Sequence, residues 1–257
     1  MSEIVVTGGT GHLGRELVPL LVTAGHNVKV LSRKPGPNHV VGDLVTGDGI
    51  AEAVEGIDVL VHCATGAADN GARGLGYELS KKTDVEPTDR LVKLLEPETH
   101  LVYISIVGVD KIPLGYYRAK LDCERIIERS GLPYTILRTT QWHSLADEFC
   151  RRLTNFPLVT PPRGVKMQLL DASEVATRMA TLVERGPSGR AADMGGPAAL
   201  AFRDVVKSWL RAKRKKRIVA AVPFPGKAVR AFRAGYNLTP EHADGRITWE
   251  DWLSRNA

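Results

Sequence analysis

Val6–Gly14 reads VTGGTGHLG, and how it is understood decides how the rest of the chain is read. It follows a short β-rich run, EIVVT at residues 3–7. It opens HLGRELVPLLVTAGH, where Leu13, Leu17, Leu20 and Leu21 share one face at helical spacing until Gly25 ends the pattern. The glycines Gly8, Gly11 and Gly14 therefore lie in a strand–turn–helix. Gly8 permits a tight turn, Gly11 lets an anionic group approach the backbone, and Gly14 lets helix and strand pack closely. The positive pole of the helix then faces that anion. This context, more than the glycines alone, implies a dinucleotide site with Gly8, Thr10, Gly11, His12 and Leu13 at the cofactor. Of these, His12 reads by preference as an exposed residue that the turn tolerates.

Further along, NVKVLS (27–32), HVVGDL (39–44), IDVLVHCA (57–64), HLVYISI (100–106) and PYTILRTT (133–140) read as strands. Helical patterns separate the later ones, DVEPTDRLVKLLE (84–96) and YYRAKLDCERIIERSG (116–131) among them. Strands lacking clean polar alternation, interleaved with helices, imply an α/β fold with a doubly wound parallel sheet of Rossmann type. Beyond residue 140 the pattern loosens into helical SLADEFCRRL, strand-like VKMQLLD, an amphipathic helix ASEVATRMATLVERG and a short strand AADMGG. The expected organisation is a dinucleotide-binding core over 1–140 and a smaller, interleaved substrate-side region over 141–257. A strand near 191–196 is expected to return to the sheet.

The 257 residues carry a net charge of +6, much of it in RAKRKKR at 211–217. That run reads as nucleic-acid contact or as a solvated helix end. The helix end is preferred, because no aromatic platform accompanies the charges. No apolar run approaches the roughly 20 residues of a membrane span, and MSEIVV lacks the features of a signal peptide. Three cysteines, Cys63, Cys123 and Cys150, show no metal-ligand spacing and read as thiols in a reducing cytoplasm. The expectations are a cytoplasmic monomer or small homo-oligomer acting on a small molecule, with no metal, nucleic acid or membrane.

The second strand ends in LSRKP (31–35), which puts Arg33 where a carboxylate would otherwise serve the adenosine ribose. Arg can pair with a 2′-phosphate, which favours NADP(H) over NAD(H). Asp43 either meets the adenine edge or caps the next turn. In GYYRAKLDCE (115–124), Tyr116 and Lys120 stand one helical turn apart on the same face, while Tyr117 is three residues from Lys120. A lysine ammonium beside a phenol favours its ionised form, the device a proton donor for hydride transfer needs.

With the glycine turn, VGDL, VHCAT and YYRAK in this order, the chain resembles the short-chain dehydrogenase/reductases. It is most similar to their atypical, NmrA-like and epimerase-like branch, and the tail FRAGYNLTPEHADGRITWEDWL (232–253) is similar to that group as well. The resemblance implies that Gly8, Gly11 and Gly14 form the phosphate loop, that Arg33 selects NADP, and that Asp43 and Leu44 lie beside adenine. Cys63, Ala64 and Thr65 would pass over the adenosine ribose. Tyr116 would be the proton donor, and Lys120 its tuner and a holder of the nicotinamide ribose. The family's Ser or Thr after the fifth strand falls on Ser105, which is followed by Ile106 and Val107. It is either the catalytic hydroxyl or only a backbone or nicotinamide contact. By position after the sixth strand, independently of the resemblance, Thr139 lies near the nicotinamide, and Gln141, Trp142 and His143 are substrate-side candidates. A packed or merely polar His143 is the preferred reading, Trp142 reads as core or pocket wall, and Tyr117 lines the pocket or packs. Three activities are compatible: NADPH-dependent reduction of a carbonyl or enone, dinucleotide sensing without turnover, and epimerisation or dehydration of a nucleotide sugar.

Overall fold

The computed structural model describes residues 1–66 and 76–256. In chain order these form β1 (Glu3–Thr7), α1 (His12–Thr23), β2 (Asn27–Ser32), β3 (His39–Val41), α2 (Ile50–Val54) and β4 (Val59–His62). Next come α3 (Tyr77–Ser80), a π-helical turn (Lys81–Val85), α4 (Glu86–Leu94), β5 (His100–Ile106), α5 (Gly115–Arg129) and β6 (Tyr134–Thr139). The remainder holds α6 (His143–Leu153), β7 (Leu158–Val159), β8 (Lys166–Gln168), α7 (Ala172–Arg185), β9 (Gly189–Arg190), β10 (Ala199–Ala201), α8 (Phe202–Ala212), β11 (Ile218–Val219), α9 (Lys227–Arg233) and α10 (Trp249–Arg255).

Seven strands make one sheet in the order β3-β2-β1-β4-β5-β6-β9. The pairings of β1 with β2 and with β4, of β2 with β3, of β4 with β5 and of β6 with β9 are all parallel. The strand order reverses between β1 and β4, and in such sheets ligands bind outside the carboxyl ends of the strands at that reversal. The chain divides into two compact units, the first comprising Met1–Ser105, Leu114–Leu137 and Val175–Ala191. Its core packs Val5, Leu60, Leu101 and Tyr103 from the strands against Leu91, Ile127 and other helical side chains. Buried on both faces, β4 and β5 cannot show the alternation of a one-sided sheet, which is why they read as nearly continuous apolar runs.

The second unit comprises Ile106–Pro113, Arg138–Glu174 and Ala192–Ala257. Its core contains Met167, Leu169, Val205, Val206, Trp209 and Trp249. Both buried indoles find acceptors, Trp209 in Asp147 Oδ1 (2.7 Å) and Trp249 in Ser208 Oγ (2.9 Å). The basic run begins at the end of α8, where Lys213 N–H bonds Trp209 O and Arg217 Nε donates to Thr154 O. Among the described residues no helix is long and apolar enough to cross a membrane, and no cluster of three metal-ligating side chains occurs.

Three boundaries differ from the sequence reading. The interleaving is finer than a division at residue 140, with Ile106–Pro113 in the second unit and Val175–Ala191 in the first. The regular strand that returns to the sheet is Gly189–Arg190, paired with Thr135 and Ile136. AADMGG continues beside β6 through Ala191 N–H to Ile136 O (3.0 Å), Met194 N–H to Arg138 O (2.9 Å) and a bridge from Met194 to Thr139. Gly186 and Gly189, both at positive φ, turn the chain back directly after α7, so pairing starts early. The third difference is the π turn before α4. Pro87 has no N–H to give to the carbonyl four residues back and its ring crowds that carbonyl, so a wider turn precedes it. Asp84 sits in that turn.

Candidate active site

The glycine turn leaves no room for side chains. Gly8 has φ +70°, and a Cβ there would lie 2.8 Å from Ala64 N. At Gly14 a Cβ would lie 2.3 Å from Gly9 Cα and 2.4 Å from Gly8 O, so the helix start rests directly on the turn. Gly9, not singled out by its spacing, approaches the Val30 side chain just as closely. Gly11 caps α1 with no side-chain hydrogen bond, and no acidic residue stands in the first turn. The leading N–H groups and the positive helix pole are thus open to an anion. Thr10 and His12 are exposed beside them, while the Leu13 side chain is buried. Arg33 is exposed beyond the end of β2. Asp43 Oδ1 accepts the N–H of Val45 (2.7 Å), the capping alternative, with Leu44 between them.

A buried polar chain fixes the turn after β4. His62 Nδ1 lies 2.7 Å from Thr7 Oγ1 and its Nε2 lies 3.1 Å from Thr88 Oγ1. Thr88 donates its proton to Asp84 O (2.6 Å), so His62 must donate from Nε2 and accept at Nδ1. Burial, with help from the Lys120 charge, pushes His62 down to about 3 and keeps this tautomer neutral. Thr7 in turn receives Cys63 N–H at its carbonyl (3.1 Å) and Ala64 N–H at Oγ1 (3.2 Å). The Cys63 thiol is pushed up to about 12 by burial, so it is no nucleophile near neutrality.

Tyr116 and Lys120 occupy the first turns of α5. Lys120 is buried, and its Nζ donates to Tyr103 Oη and to Ile104 O, both at 3.0 Å. Burial alone would lower its pKa, but the facing acidic groups, Tyr116 and then Asp84, outweigh it and the net direction is up. Tyr116 Oη lies 3.1 Å from Thr65 Oγ1. Burial raises the Tyr116 phenol, and although the Lys120 charge and the Thr65 hydrogen bond pull it down, the net direction is also up. The lysine acts in the expected sense and is outweighed by desolvation, so this phenol is held protonated. Tyr117 is buried and packs edge-on against Tyr116 with centroids 6.5 Å apart. Ser105 is 2 % exposed and its Oγ has no hydrogen-bond partner among the described residues, and the hydroxyl found at Tyr116 is that of Thr65.

The remaining candidates lie in the second unit and are engaged in its own structure. Thr139 Oγ1 accepts Trp142 Nε1–H (3.1 Å). Gln141 is paired with Asn237, whose Nδ2 donates to Gln141 Oε1 (3.1 Å). His143 is 1 % exposed and packs with Trp249 and Trp252 in a three-ring cluster, its Nδ1 3.5 Å from Asp171 Oδ2. The expected substrate-side histidine is therefore a packed one: an imidazole this enclosed is held by ring stacking and a carboxylate. Asp171 is lowered to about 2 by hydrogen bonds from His143 and then Ser173, with burial opposing. Its stabilisation is present above its unfolded value of 3.8 and is lost as pH falls toward 2. Asp171→Ala is expected to lower stability by about 1 kcal/mol at pH 7 and by less at pH 2.5. Equal losses in thermal melts at both pH values would contradict this.

Residues 8–156 match the NAD(P)H-binding family. The chain belongs to that family. A 3-beta-hydroxysteroid dehydrogenase of Mycolicibacterium neoaurum is 39 % identical over 71 residues, 25 % of this chain and only 19 % of that enzyme's length. A (4-alkanoyl-5-oxo-2,5-dihydrofuran-3-yl)methyl phosphate reductase of Streptomyces griseus is 29 % identical over 209 residues, 78 % of this chain and 70 % of its own. An NADPH-dependent quinone oxidoreductase of Escherichia coli superposes with a TM-score of 0.77 at 15 % identity, covering 98 % of this chain and 99 % of that one, a likeness of fold.

The residues of this NAD(P)H-binding protein fit such a cofactor. The uncapped start of α1 and the side-chain-free turn suit its phosphates, and Lys120 keeps a third N–H beyond the two used among the described residues. Two site residues escaped the sequence reading. Asp84 is 2 % exposed and faces Tyr116 and Lys120 electrostatically, and Tyr103 holds Lys120 from β5. Pro87, three residues beyond Asp84, was the available signal that the helix would be distorted there.

Proposed function

We propose that this protein is an NADPH-dependent reductase of small carbonyl or enone substrates, with Tyr116 as proton donor. The observation that carries the reading is a protonated phenol one helical turn from the buried ammonium of Lys120, within the NAD(P)H-binding unit. Reduced nicotinamide, when bound, supplies a hydride to the substrate carbon. As that carbon is reduced, negative charge develops on the substrate oxygen or, for an enone, on the enolate. Tyr116 Oη–H is the acid that neutralises it. A phenol raised by burial keeps its proton until a stronger base forms beside it, and the Lys120 charge stabilises the phenolate left behind. The Streptomyces relative's named substrate, a 5-oxo-2,5-dihydrofuran, and the quinone in the Escherichia coli oxidoreductase's name both join a carbonyl to a ring double bond, which supports this substrate class.

The preference for NADPH rests on Arg33, exposed where β2 ends and suited to bidentate contact with a 2′-phosphate. Arg33→Asp is expected to weaken NADPH binding by about tenfold or more while leaving NADH binding within a few-fold. Equal loss for both cofactors in fluorescence titrations would count against it. The function itself is tested by NADPH oxidation followed at the reduced-nicotinamide absorbance with 1,4-benzoquinone, 2-cyclohexenone and simple aldehydes. The second reading, a dinucleotide sensor without turnover, is favoured by Ser105, whose hydroxyl meets neither Tyr116 nor any other partner among the described residues. Tight NADPH binding with no oxidation across that panel would select it.

A further inference from the structure

We propose that Thr65, and not the serine of β5, is the hydroxyl that positions Tyr116 for proton transfer, and that Asp84 holds it there. The inference rests on the reading of Tyr116 as proton donor and names the partner that reading lacks. Thr65 belongs to the turn Cys63–Gly66, which is pinned at three backbone points. Cys63 N–H is held by Thr7 O (3.1 Å), Ala64 N–H by Thr7 Oγ1 (3.2 Å) and Gly66 N–H by Asp84 Oδ2 (3.2 Å). Asp84 is itself 2 % exposed and receives the Thr83 hydroxyl at 2.7 Å. Gly66 approaches so closely that a Cβ there would lie 2.2 Å from Thr83 Oγ1. With the turn fastened on both sides of it, Thr65 presents Oγ1 to Tyr116 Oη at 3.1 Å.

The proton count is simple. While Tyr116 is a phenol its own proton points to the substrate oxygen, so Thr65 O–H donates to a lone pair of Oη. When the Tyr116 O–H bond breaks and the proton passes to the substrate oxygen, the electron pair stays on Oη. The same Thr65 hydrogen bond then faces an anion and strengthens. Thr65 loses no proton in the step. Solvent water later returns one to Tyr116. Ser105 Oγ makes no hydrogen bond to Tyr116 or to any other described residue, so it does not supply this contact.

The test uses Thr65→Val, Thr65→Ser and Tyr116→Phe in the full chain. With tyrosine labelled at Cζ by carbon-13, the Tyr116 resonance is the one lost in Tyr116→Phe. The titratable groups facing it, Lys120, Asp84, Cys123 and Tyr103, are unchanged throughout. In Thr65→Val the resonance should move and its alkaline titration should shift upward, and Thr65→Ser should restore both. With 1,4-benzoquinone or 2-cyclohexenone, Thr65→Val should lower kcat about tenfold with KM within about twofold, and Thr65→Ser should recover most of it. An unmoved Tyr116 resonance in Thr65→Val overturns the inference. So does a loss that appears wholly as weaker NADPH binding with an unchanged pH profile, which makes Thr65 a ribose contact instead. Full turnover by Tyr116→Phe sinks the reductase reading itself, whereas the resonance result bears on Thr65 alone.

Discussion

Replacing Tyr116 by Phe is expected to lower kcat for NADPH-dependent reduction by about 10²- to 10⁴-fold, the usual worth of a positioned acid. The ring survives the change, and Tyr117 still has an edge to pack against. Only the hydroxyl that meets Thr65 Oγ1 is removed. Lys120 keeps its bonds to Tyr103 Oη and Ile104 O, so the helix and the third lysine donor stay in place. NADPH affinity should therefore change by less than about threefold. Measured kcat and fluorescence-derived Kd values separate these terms. A variant that loses cofactor affinity and turnover together would show that Tyr116 binds rather than protonates.

Gly14→Ala is expected to damage both stability and cofactor binding. Its added methyl would lie 2.3 Å from Gly9 Cα and 2.4 Å from Gly8 O, backbone atoms that cannot swing aside. The start of α1 must move away from the turn, at a cost of about 1–3 kcal/mol, or roughly 5 °C in Tm. The same movement carries the leading N–H groups away from the phosphates, and NADPH binding should fall by about 100-fold. Gly11→Ala is the control. Its φ of −79° suits alanine and the nearest atom to the new methyl is Gly8 O at 3.2 Å, a far milder contact than at Gly14. Tm should therefore fall much less than in Gly14→Ala while the phosphate approach is obstructed. Native melting and native NADPH affinity in Gly14→Ala would contradict the account.

The parts of this site that could be read from the chain are those set by short-range geometry. A glycine at positive φ before an amphipathic helix states its own turn, as at Gly8. Tyr116 and Lys120 share a face because four residues make about one helical turn. The long apolar strands state that both faces of the sheet are covered. His143 illustrates the opposite case. A histidine after a β-strand can serve a pocket or a core, and the stacking of Trp249 and Trp252, more than 100 residues away, decides for the core.

By itself, then, the sequence determined the α/β fold, the NAD(P)H-binding turn and the helix bearing Tyr116 and Lys120, because each is written in spacings of a few residues. Only the tertiary structure decided which hydroxyl meets Tyr116, since Thr65 is 51 residues away and is brought there by the turn that Thr7 and Asp84 fasten. It also decided the sign of the Tyr116 shift. A charge four residues away is visible in a sequence, but the desolvation that outweighs it is the sum of everything packed around the phenol.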